Sequence, residues 1–176
     1  QFTGVLASLL PLWFMEGDAV FAETVLSESG RGRSASFQKE LKAILVEKGG
    51  LYNYDKILNG SFRDYIPDHY QSGYQMVTFA LAKYDPQIWN KVLNYTGKQP
   101  FTINPVNISL SRSNRLTKKK LFIETFDTLK TIWRKNLSVN NVLKYEPVNP
   151  DKKGKYINYY SPIFAGPDSI IAIKTS

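Results

Sequence analysis

Leu12-Trp13-Phe14-Met15-Glu16-Gly17-Asp18-Ala19-Val20-Phe21-Ala22-Glu23 is apolar on both sides of a Glu-Gly pair and places two carboxylates, Glu16 and Glu23, seven residues apart. On a helix, positions i and i+7 share one face two turns apart, with Ala19 or Val20 between them. Trp13, Phe14, Met15, Val20, Phe21, Val25 and Leu26 spread nearly all round that helix, which predicts burial. A buried carboxylate must be paired, hydrogen-bonded or bound to a metal. Two readings follow. Either a carboxylate sits at a helix edge and pairs with a base such as Arg31 or Arg33, or the pair belongs to a metal site.

Outward from this helix, 176 residues make about one ordinary domain, with a hydrophobic fraction of 43% and an aromatic fraction of 14% that exclude a disordered chain. Cys is absent, which removes disulfides, thiolate metal sites and thiol nucleophiles and suits a bacterial envelope protein. The net charge of +8 attracts anionic partners, but the basic residues are scattered and no recognition motif accompanies them, so nucleic-acid binding is not expected. The apolar run Val5 to Leu12 has no basic region before it and is too short to span a bilayer. The missing initiator Met predicts a mature or excised fragment.

The expected fold is mainly α, with a short β-rich C-terminal tail. Residues 1–12 approach a first helix over Leu12 to Glu28. Ser29-Gly30-Arg31-Gly32-Arg33-Ser34 breaks it. A second helix spans Ser36 to Lys48, stopped by Gly49-Gly50, and a short turn follows at Tyr54 to Leu58. A third runs from Asp68 to Tyr84, where the stripe Tyr70, Tyr74, Val77, Leu81 and Tyr84 predicts a core face. Asp85-Pro86 and Asn104-Pro105 each read as a cap followed by Pro at the first helical position. Thr117 caps a last helix to about Asn136, whose opening Lys118 to Lys120 is expected on a solvated surface. Composition shifts after Ser138: prolines separate short strand-like runs at Tyr156 to Tyr160 and Ser169 to Lys174, which divides the chain into 1–137 and 138–176.

Trp13-Phe14-Met15-Glu16-Gly17, followed by Ala19, Phe21 and Glu23, resembles the second half of the gluzincin metallopeptidase signature, "W-L-x-E-G-x-A-x-Y-x-E". Tyr70, Gly73, Tyr74, Val77, Phe79, Leu81 and Tyr84 fill most places of a later family segment, and the GRG loop has a counterpart there. The resemblance covers about residues 10 to 137 and implies the helical half of a peptidase-MA-like domain. It implies that Glu16 is the third zinc ligand and that Glu23 supports the metal site from behind. In a complete parent domain, two upstream His would join Glu16 around Zn²⁺, and an upstream Glu would activate a bound water. That upstream half, H-E-x-x-H, is missing here, and His69 is the single His. This chain alone is therefore expected to hold no zinc and to be inactive. Asp18 and Phe21 depart from the more usual residues of the signature. The resemblance also makes His69 or Tyr70 a candidate for stabilising an oxyanion; as a lone His, His69 reads equally as a partly exposed residue opening a helix.

Ser161-Pro162-Ile163-Phe164-Ala165-Gly166-Pro167-Asp168 with Ile170-Ile171-Ala172 resembles the opening of a blade in TolB-like β-propellers, "S-P-x-F-S-P-D-G-x-x-I-A". Together the two resemblances imply a bacterial envelope protein, periplasmic or associated with the outer membrane, acting on a peptide or protein. The alternative is a non-catalytic helical module that binds proteins beside such a propeller. If an upstream helix is missing, the surface from Trp13 to Val25 is left open and a homodimer through it is expected.

Overall fold

The structure is a computed structural model, and it describes residues 9–139 and 158–175. The expected approach through residues 1–8, the linker 140–157 and the start of the first strand run at Tyr156 lie outside the described residues. The chain divides into two units, 1–141 and 142–176. The first contains seven described helices: α1 (Leu12–Leu26), α2 (Ala35–Glu47), α3 (Tyr54–Asn59), α4 (His69–Lys83), α5 (Ile88–Lys98), α6 (Pro105–Asn114) and α7 (Lys118–Val139), with a 3₁₀ turn at Arg31–Arg33.

Local chemistry sets most boundaries. Pro11, which has no N–H of its own to leave unpaired, precedes α1, and its carbonyl accepts from Phe14 and Met15 N–H at 2.9 and 3.2 Å. Asn53 caps α3 by accepting from Lys56 N–H at 2.9 Å, and Asp68 caps α4 through Gln71 N–H at 2.8 Å. Thr117 caps α7 through Lys120 N–H at 3.1 Å. Pro105 takes the first position of α6, but Asn104 is left-handed (φ 58°) and makes no side-chain cap. Asp85-Pro86 is a turn and not the helix start: Asp85 accepts from Gln87 N–H at 2.8 Å, and α5 opens at Ile88.

The most extensive packing joins α1 to α4. It depends on two glycines. A Cβ on Gly73 would stand 1.9 Å from the Trp13 carbonyl oxygen, and one on Gly17 would stand 2.2 Å from the Gly73 carbonyl carbon. Backbone meets backbone at this crossing, closer than any side chain allows. Around it the buried stripe of α1 is Trp13, Gly17, Val20 and Thr24, with Phe14 alongside. Trp13 stacks edge-on to Trp89 of α5 at 6.0 Å and donates its indole N–H to the Tyr54 hydroxyl at 3.1 Å. Tyr54 in turn meets Phe122, and Phe122 meets Phe126 at 4.8 Å, which carries the core into α7.

Two expectations change. The first helix is not buried all round: Leu12, Ala19, Val25 and Leu26 are exposed, whereas Trp13, Phe14 and Val20 are covered. The surface proposed for a dimer is thus reduced to its Leu12, Val25 and Leu26 margin. Nor is the tyrosine stripe the core face of α4. Its buried residues are Gln71, Ser72, Gly73, Gln75, Met76, Val77 and Ala80, and Tyr70, Tyr74 and Tyr84 are half-buried at its rim. The glycine crossing rotates the small residues inward, and bulky tyrosines could not fit there.

The second unit is an antiparallel hairpin, β1 (Asn158–Gly166) and β2 (Ser169–Thr175), turning at Pro167-Asp168. Tyr160 pairs with Ile173 and Phe164 with Ile170, with an irregularity at Ser161, whose φ is 50°. No described helix is long and apolar enough to cross a membrane.

Candidate carboxylate face on the first helix

Glu16, Ala19 and Glu23 fall on one side of α1, Ala19 exposed and the two glutamates half-buried along the flank of the stripe that Gly17 and Val20 bury. Glu23 is fixed by the glycine-rich turn. Its carboxylate accepts from the Arg31 backbone N–H and from Arg31 Nε, both at 2.9 Å. The backbone bond first, and the guanidinium with it, hold the Glu23 carboxyl below its ordinary range. That contribution to stability is present above the unfolded value of 4.5 and is lost as pH falls through the lowered folded value.

The turn itself is fastened to the end of α1. Gly32 N–H donates to Thr24 Oγ1 at 3.0 Å, Arg33 donates to the Thr24 carbonyl through Nη2 at 2.6 Å, and Gln38 donates to the Gly32 carbonyl at 2.8 Å. Glycine is required at both places: a Cβ on Gly30 would lie 2.3 Å from Thr24 Cα, and one on Gly32 would strike the Tyr74 ring. Held this way, the Arg31 guanidinium lies over the Tyr70 ring at 5.1 Å and near Phe37 at 6.0 Å. Tyr70 in turn faces Glu16, whose carboxylate raises the Tyr70 hydroxyl through hydrogen bonding and then through charge. Glu23, Arg31, Tyr70 and Glu16 therefore form one connected row across α1 and the start of α4.

No family model, curated protein or solved structure matches the chain.

The row brings together three of the residues singled out in the sequence, Glu16, Glu23 and Tyr70. The fourth, His69, is separated from them and lines a different cleft with Leu12, Leu58 and Pro105. The edge-pairing reading describes Glu23, which is half-exposed and bonded to Arg31. Glu16 forms no ion pair among the described residues. No group of three His, Cys, Asp or Glu side chains placed to hold a metal occurs among them either. Tetrahedral zinc takes three or four protein donors. Glu16 can be one of them, and the donor set here is incomplete, so no chemical step is derived through a metal.

Arg31 was named in the sequence as a partner for one carboxylate and pairs with Glu23; its further connection to Glu16 through the Tyr70 ring was not read there. The signal available for the pairing was the offset of eight residues from Glu23 to an Arg held between two glycines. Sequence reasoning missed Asp18, which is half-buried on α1 and which burial pushes above the ordinary carboxylate value of 3.8. A raised folded value means that the charged form is penalised in the fold. The penalty is absent below pH 3.8 and grows as pH rises through the folded value. Asp18→Asn is accordingly expected to raise the melting temperature at pH 7, by less than about 1 kcal/mol of stability after solvent screening. The gain should disappear below pH 3.8. Thermal melts at both pH values check this, and a gain that persists at the low pH would refute the burial penalty.

Proposed function

We propose that the helical unit is the glutamate-bearing half of a gluzincin-like metallopeptidase domain of a bacterial envelope protein, and that Glu16 serves there as a zinc ligand. The observation that carries this reading is the state of Glu16: a half-buried carboxylate mid-helix, in no ion pair among the described residues, beside the Tyr70 hydroxyl. Glu23, by contrast, is anchored by Arg31, and the Arg31–Tyr70 stack conveys that order towards Glu16. A rigid backing of this kind is what orients a metal ligand. The exposed stripe Leu12, Ala19 and Leu26 alongside the glutamates offers an apolar seat for a further helix carrying the remaining donors. The hairpin supports the second half of the reading. Its isoleucines are exposed on both faces, as in the opening strands of a larger sheet such as a TolB-like propeller.

The test is the zinc content of the protein carrying the sequence encoded upstream of Gln1, beside a Glu16→Ala variant. Stoichiometric zinc that is lost in the variant is the expected result and identifies Glu16 as a ligand. No zinc in either protein sinks the metal reading and favours a helical protein-binding module in the envelope.

A further inference from the structure

Apart from the carboxylate face, α3, α4, α6, α7 and the approach to α1 line an open cleft of about 480 Å³. Leu9, Leu10, Leu12 and Leu58 make its apolar wall, and His69, Lys118 and Tyr54 supply its polar groups. Among the described residues these groups differ in how they are met. His69 Nδ1 is buried below the cleft surface and has no hydrogen-bond partner among the described residues. Lys118 is half-buried, and no carboxylate pairs with it among the described residues; its neighbours Lys119 and Lys120 instead meet Asp55 and Glu124. Burial alone lowers the Lys118 ammonium below its ordinary 10.5. The Tyr54 hydroxyl, on a residue 7% exposed, accepts from Trp13, and no described residue accepts its proton.

Lys118 is thus a half-buried ammonium beside an apolar wall with no described carboxylate to meet it, and a buried charge of this kind favours an anionic partner. Lys118 opens α7 and is not on the solvated surface expected for the Lys118 to Lys120 run. Asn104 and Pro105, at the uncapped start of α6, complete the rim and add the positive end of a helix. The nearest acid in sequence, Asp68, is exposed, and its carboxylate is engaged in capping α4. A second cleft, of about 290 Å³ between α3 and α7, differs in this respect: its rim is closed by the Asp55–Lys119 pair and by Lys130 donating to the Gly49 carbonyl.

We infer that the larger cleft is a binding site for a small aliphatic carboxylate, its negative group on Lys118 with the Tyr54 hydroxyl beside it and its tail on the leucine wall. A compact ammonium in a partly dry site favours a carboxylate over neutral polar groups. The volume lies in the range of ordinary small-ligand pockets. A free fatty acid and the C-terminal residue of a peptide share this chemistry. The inference does not depend on zinc at Glu16.

Titration calorimetry on the whole chain tests it with octanoate, octanol, acetyl-Leu-Leu and acetyl-Leu-Leu-amide. Octanoate or acetyl-Leu-Leu is expected to bind, and the tighter of the two identifies the source. Octanol and the amide, which lack the charge, should not. Lys118→Met keeps the stem and removes the charge; it should weaken binding at least about tenfold, the effect of one charge-assisted hydrogen bond. Tyr54→Phe, which leaves the ring in the core, should weaken it less. Circular dichroism melts establish that both variants fold. Failure of both carboxylates to bind, equal binding of octanol, or unchanged affinity in folded Lys118→Met overturns the assignment.

Discussion

Gly17→Ala and Gly73→Ala are each expected to cost about 3 kcal/mol or more, roughly 10 °C in melting temperature, or to prevent folding outright. The new methyl group would lie 2.2 Å from the Gly73 carbonyl carbon in the first case and 1.9 Å from the Trp13 carbonyl oxygen in the second. In both cases it strikes main chain, so no rotamer change relieves it, and α1 must move away from α4. Intrinsic propensity points the other way, since Ala is favoured over Gly within a helix by about 1 kcal/mol. Gly97, in α5, isolates that opposite term: a Cβ there meets nothing within 4 Å. Gly97→Ala should therefore stabilise the protein by about 0.5–1 kcal/mol. Urea denaturation of the three variants decides the matter. A mild effect at Gly17, similar to that at Gly97, would mean that the two helices do not cross where the structure has them.

Trp13→Ala should cost about 3–5 kcal/mol. Trp13 is 1% exposed, sits edge-on to both Phe14 and Trp89, and is tied to α3 by its indole N–H. Truncation leaves a cavity at the point where α1, α3 and α5 meet, and rigid glycine-packed backbone on one side limits its collapse. Trp13→Phe separates the two contributions. It keeps most of the apolar volume and removes the donor to Tyr54, for an expected loss of about 1–2 kcal/mol. Equilibrium unfolding measures both. If Trp13→Phe costs as much as Trp13→Ala, the hydrogen bond and not the packing dominates, and the cavity argument fails.

Much of the helical unit is legible in the sequence because it is written in local signals. Thr117 caps α7, Pro105 opens α6 and the helix boundary at Asp68 is where the sequence puts it, because such signals act within a few residues; the Asn53 cap of α3 is of the same kind but was not singled out. The Asp85-Pro86 turn shows the limit, since a single Asp-Pro pair serves a turn as well as a cap. The core face of α4 was misread for a different reason. Periodicity selects large apolar residues for the interior, but close approach at Gly17 and Gly73 gave that place to Gly, Ser and Gln and moved the tyrosines to the rim. Of the candidate face, the two glutamates are visible by spacing. Their connection through Arg31 and Tyr70 is not, because it depends on how the glycine turn folds back on Thr24. That no described carboxylate meets Lys118 is similarly invisible, since pairing is a property of three dimensions.

The hairpin has one more bearing on the molecule. Among the described residues β1 pairs with β2 alone, so each strand keeps one row of backbone N–H and C=O groups without a ladder partner in the sheet. Ile170, Ile171 and Ile173 on β2 are exposed, in a stretch of high β propensity that contains no proline. Such edges are templates for intermolecular strand addition. Self-association of this chain would then report on unfinished sheet as readily as on the helical face, and a sizing experiment separates the two only when a charge is placed on β2, for instance by Ile171→Lys.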